Sequence, residues 1–143
     1  MEKIMSPAGL PFASDRKFSV FNYLIGHGLL LLRSGKTDEH PTRIDILITD
    51  VRAMETRSWF TGIEIAGADE QYLAGFQSNP VEMVEIGHRI YALNGNGWRG
   101  FVVGGACFVH EDKLDFMAPS GIAHHSGAMS VLADSVSSRT GPT

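Results

Sequence analysis

A single cysteine, Cys107, stands among the 143 residues. An intrachain disulfide is therefore impossible, and zinc sites built on paired cysteines are excluded. No segment approaches the roughly 20 apolar residues that a membrane-spanning helix needs. The longest apolar stretch, Tyr23 to Leu32, is interrupted by Gly26, His27 and Gly28. The opening Met1-Glu2-Lys3-Ile4-Met5-Ser6-Pro7 lacks the basic-then-apolar pattern of a secretory signal, so a cytoplasmic location is expected. Positive charge is not in excess: 12 Lys and Arg face 16 Asp and Glu, a net charge of −4. That removes the simplest basis for binding nucleic acid or an anionic membrane, and neither partner is expected. Aromatic residues number 8 Phe, 3 Tyr and 2 Trp, few enough that the core should claim most of them.

Motifs with a chemical mechanism are missing as well. There is no Gly-x-x-x-x-Gly-Lys-Ser/Thr phosphate loop and no serine-hydrolase elbow. Six histidines are present, His27, His40, His88, His110, His124 and His125. None has the i, i+4 spacing of a helical zinc pair, and no His-x-His lies on a strand. His110-Glu111-Asp112 is the most suggestive local group, but adjacent side chains on a strand diverge and cannot chelate alone. Neither a metal nor a cofactor is expected, and no residue is assigned a catalytic role.

What is present is a pattern of strands. A chain of this length suggests one domain and buries about two-thirds of its unfolded surface, enough core to need no staple. The 16 glycines lie between and inside apolar runs, as turns and bulges do in β proteins. Residues 1–16 read as an irregular leader, 17–118 as a β domain, and 119–143 as a C-terminal segment. In that last segment Met129, Leu132 and Val136 have helical spacing, and Ser137 to Thr143 should be disordered. Phe18 to Leu24, Leu29 to Arg33 and Thr42 to Val51 read as strands; the last puts Ile44, Ile46 and Ile48 on one face. Residues 52–60 fit either a short helix or a strand, and Thr56, Trp59 and Phe60 favour the strand. Asp69 caps a brief helix to Gln77. Val81 to Ile86, His88 to Leu93, Trp98 to Val109 and Leu114 to Met117 read as extended, with a tight turn at Asn94-Gly95-Asn96-Gly97. Glu111-Asp112-Lys113 reads as a turn. The fold class is mainly β, a single-domain antiparallel sandwich or partly open barrel of roughly seven to nine strands with one or two short helices. The rival is an α+β fold with helices at 50–60, 69–77 and 126–136.

Two groups of residues are candidate sites. Alternation places Ile86, His88, Ile90, Phe101, Val103 and Cys107 on one face, where His88, Phe101 and Cys107 could line a ligand cavity. The simpler reading makes His88 a satisfied buried histidine and Cys107 a small core residue. His27, between two glycines, is either a rim contact for a ligand or a turn histidine bonded to the backbone. The second group is charged. Pairing 29–33 with 42–51 in a symmetric register sets Arg33 opposite Arg43, Leu32 opposite Ile44 and Leu30 opposite Ile46, with Asp45 diagonal to Arg33. These charges are anchors for an acidic ligand or partner, or ion pairs on a solvated face. The leading functional expectation is a non-catalytic protein-interaction module that binds a protein partner or a second copy. The alternative is a small-molecule binder or enzyme with a cavity near His88.

Overall fold

Strand-forming runs dominate because β-branched and aromatic residues recur with period two between glycine-rich breaks. A computed structural model describes residues 9–120 and 130–136. Its strands are β1 (Phe12–Leu24), β2 (Leu29–Ser34), β3 (Arg43–Ile48), β4 (Ala53–Glu55), β5 (Trp59–Ala68), β6 (Arg89–Gly95), β7 (Trp98–Gly104), β8 (Cys107–Asp112) and β9 (Ser130–Asp134). They form one antiparallel sheet in the order β4-β7-β6-β5-β1-β2-β3-β8-β9, not closed into a barrel. Among the described residues one helix, α1 (Glu70–Ala74), and two 3-10 turns, Ile25–His27 and Val81–Met83, accompany it. No helix among the described residues is long and apolar enough to cross a membrane.

The sheet curls around one core. Phe18, Leu30, Leu32, Ile46, Ile48, Ile65, Leu93 and Val109 are buried together on its inner face. The outer face carries two covers of opposite character. Over β6 and β7, Leu73 and Phe76 at and just beyond α1 seal an apolar cluster with Ile90, Phe101 and Val103. Over β2, β3 and β8, the segment 113–120 covers charged side chains.

The β2–β3 pairing keeps the expected faces but not the expected register. Arg33 lies opposite Asp45, Leu32 opposite Ile46 and Leu30 opposite Ile48. A two-residue shift preserves every side-chain face, so alternation cannot detect it. It replaces a like-charge Arg33–Arg43 pair with an opposite-charge pair, which is the favourable arrangement.

Other expectations divide. Residues 52–60 hold strand and not helix, as favoured, but in two pieces, 53–55 and the start of β5 at Trp59, and Asp69 caps α1 by accepting from the Tyr72 amide. The hairpin closes with Gly95 opposite Trp98, a two-residue loop at Asn96-Gly97. Strand β1 begins at Phe12, inside the segment read as an irregular leader, because it has β5 to pair with. Val81 to Ile86 is not extended but holds a 3-10 turn, bounded by Pro80 and by Gly87 at φ 91°. Leu114 to Met117 is a loop, and Asp112 belongs to β8, not to a turn. Leu132 lies in strand β9, where pairing with β8 overrides the helical spacing. Residues 137–143, Met129 and His124-His125 lie outside the described residues.

The run Trp98 to Val109 is two strands. Gly104 passes so close to β3 that a Cβ there would sit 2.9 Å from the Thr49 carbonyl oxygen. The Gly105 amide donates to that same carbonyl at 2.7 Å. The chain leaves β7 here and enters β8 beside β3, so the alternation restarts. Phe101 therefore belongs to the outer cluster beneath α1, while Cys107 lies in the main core. The expected common face of Phe101 and Cys107 is corrected accordingly.

Candidate functional site

The densest polar chemistry is buried. Arg33 Nε and Nη2 donate to the two Asp45 carboxylate oxygens at 2.7 and 3.0 Å. Arg43 Nε and Nη2 donate to the two oxygens of Asp112 at 2.9 Å each, across the β3–β8 register. Arg43 Nη2 also lies 3.8 Å from Asp45, so the two bidentate pairs touch. All four side chains are essentially shielded from solvent. The remaining donors hold the covering loop. Arg43 bonds the carbonyls of Asp115, Ala118 and Pro119, and Arg33 those of Phe116 and Ala118. All five Arg43 N–H groups are thereby matched. The Arg33 guanidinium stacks over the Phe21 ring, 4.0 Å from its centroid. This is a clamp for the segment 113–120. It offers no unengaged base or nucleophile.

His110 lies beside the clamp, opposite Asp45 on β3. Burial lowers its pKa from the ordinary 6.5, against the upward pull of Asp45, Asp134 and Asp112. The unfolded chain then binds a proton more readily than the folded one below that value. Stability is expected to be full above pH 6.5 and to fall as acid carries the solution through it. Denaturant midpoints measured against pH should show this slope, and His110→Gln should flatten it. An unchanged slope in that variant would remove His110 as its source.

The His88 side chain is only 5% exposed and is held at both ring nitrogens. The Glu85 amide donates to Nδ1 at 3.3 Å, so Nε2 carries the hydrogen and donates to Asp50 at 2.9 Å. An imidazole with both nitrogens engaged has no lone pair for general-base work. The His88 bond, then that from Arg52, holds the Asp50 carboxyl below its ordinary value. The pair staples the turn after β3 to the approach to β6. Beside it opens a cleft of about 980 Å³ that also reaches Arg89, Tyr91, Asp69 and Asp134. Neither Phe101 nor Cys107 lines it.

Cys107 is fully buried, and desolvation pushes its thiol up to about 12. A thiol so placed supplies no thiolate nucleophile. A maleimide or disulfide reagent is expected to leave the native chain unmodified and to react once denaturant unfolds it. Rapid labelling of the folded protein would contradict the packing. His27 sits exposed in the 3-10 turn, where Gly28 at φ 61° accepts the Val51 amide through its carbonyl. Ile86 is fully exposed and outside any strand, so it shares no face with Ile90.

Sequence reasoning brought Arg33, Arg43 and Asp45 together and noted Asp112 beside His110, but it missed the Arg43–Asp112 and His88–Asp50 pairings. Asp112 had a local signal: it has the same strand parity as His110, two positions on. Its partner is 69 residues away, which no local pattern reveals. Among the described residues, no group of three or more His, Cys, Asp or Glu is placed to hold a metal ion. No protein-family model, curated protein or solved structure matches the chain.

Proposed function

We propose that this chain is a non-catalytic protein-interaction module that binds a protein partner, a second copy included, along the open edge of its sheet. The supporting observation is β9. Among the described residues it pairs only with β8; Val131 on it is exposed, as is Val136 just beyond its end. An unpaired edge with apolar side chains is a template for strand addition. The opposite edge, β4, has three residues and offers much less backbone. The engagement of His88, Cys107 and the arginine clamp supports a binding role over a catalytic one. Light scattering over a concentration series tests the self-association arm, with Val131→Lys as the edge-blocking variant. Association that the variant abolishes is expected. A strict monomer that retains no protein from its own lysate would reject the proposal.

A second reading is favoured by the cleft at His88. Its mixture of aliphatic walls and a few charged groups suits a small polar molecule. A thermal-shift screen against metabolites separates the readings, because a cleft ligand raises the melting temperature without changing the oligomeric state.

A further inference from the structure

We propose that a second cavity, formed by β1, the end of β2 and the loop 35–40, binds a small phosphate monoester. The inference is independent of the protein-contact proposal, and either can fail alone. The cavity holds about 300 Å³, the lower end of the range for small-ligand sites. Arg16, Lys17, Arg33, Lys36 and His40 line it, and among the described residues no carboxylate does. In a chain of net charge −4 that local balance is opposite to the whole. Hydroxyls of Ser19, Ser34 and Thr37 add donors suited to phosphate oxygens.

The cations differ in how far they are already committed. Arg16 bonds Thr42 and lies 3.5 Å from Glu111. Arg33 is neutralised by Asp45, yet among the described residues four acceptors serve its five N–H groups. Lys36 bonds the Lys113 carbonyl and meets Asp115, whose side chain is 90% exposed, so water or a ligand can take that place. Lys17 lies over the Trp59 ring at 4.9 Å and has no carboxylate partner among the described residues. Lys17 and Lys36 are thus the charges left for an anion. The Phe116 ring supplies an apolar wall for the ester's organic part. It packs so tightly on Gly35 that a Cβ there would stand 2.7 Å from it. Arg33 fixes the same wall by bonding the Phe116 carbonyl. The buried clamp therefore builds one side of the cavity.

The test is an amide chemical-shift titration of the full chain with phenyl phosphate, with inorganic phosphate, and with sodium chloride at matched ionic strength. Saturable shifts at Lys17, Gly35, Lys36 and His40 are expected with both phosphates and not with chloride. Phenyl phosphate should bind several-fold more tightly because of Phe116. The exposed double variant Lys17→Ala/Lys36→Ala should keep the wild-type melting temperature and weaken binding by roughly tenfold or more. No saturable shift, equal shifts from chloride, or undiminished binding by the double variant would overturn the site. Equal affinity for the two phosphates would overturn the monoester assignment.

Discussion

Replacing Asp45 by asparagine is expected to cost about 3–5 kcal/mol of folding stability. The substitution keeps the shape and removes the charge. Asp45 accepts two bonds from Arg33 and stands 3.8 Å from Arg43, in a place where none of the three side chains is more than 2% exposed. Asparagine returns one acceptor and turns an amide group toward a guanidinium that can only donate. Asp112 still neutralises Arg43, but Arg33 is left as a buried cation with carbonyl acceptors alone. Most of the cost is this uncompensated charge. Asp115→Asn is the matched control. It breaks the exposed pair with Lys36 and should change stability by only about 0–1 kcal/mol. Chemical-denaturation midpoints of the two variants give the comparison directly. If Asp45→Asn were as mild as the control, water would have to reach the clamp, and the covering loop would not be closed.

The size of that loss does not make the clamp a source of net stability. An apolar set of the same volume often holds a core as well or better. What apolar residues cannot do is bond the carbonyls of Asp115, Phe116, Ala118 and Pro119. The clamp fixes the path of a loop that has no regular structure of its own. Through Phe116, that path shapes the proposed anion cavity.

The parts of the fold that could be read were those set by neighbours in sequence. Ile44, Ile46 and Ile48 show their common face through period two, and Asn96-Gly97 closes a hairpin whose strands adjoin it. Register was less accessible, since a two-residue slip of β2 on β3 leaves every face intact and only the charge pairing distinguishes the two. Val81 to Ile86 was misread because Val81, Glu82 and Met83 alternate as a strand would, although Glu85 and Ile86 break that parity. Among the described residues no strand lies beside it to take its hydrogen bonds, and a 3-10 turn forms instead. Leu132 was misread in the opposite sense, since β8 offers a ladder that helical spacing does not foresee. The site was legible only as far as two adjacent strands could show it. Arg33, Arg43 and Asp45 came from one hairpin. Asp112, the covering carbonyls and the Phe116 wall came from segments that only the folded sheet brings near.

Phe101→Ala is expected to cost about 3–5 kcal/mol, the second large effect. Phe101 was a candidate for lining a ligand cavity, and the two roles have opposite consequences. A side chain on the wall of an open cleft can be shortened at little cost to folding, with the loss appearing in binding. Phe101 instead is 2% exposed, with its ring edge-on to Phe76 at 4.9 Å between centroids. Leu73, Ile90 and Val103 complete the cluster, and Tyr72 ties α1 to β7 by donating to the Gly100 carbonyl at 2.8 Å. α1 has five residues, too few to be helical alone, so its order depends on this packing. Alanine would open a cavity under the helix that the sheet, held by β4 and β6 on either side, cannot collapse to fill. The expected result is a large drop in the denaturation midpoint, with earlier exchange of the amides in residues 70–76. A midpoint near wild type would mean that the space around Phe101 is already open, and would return it to the list of cavity-lining residues.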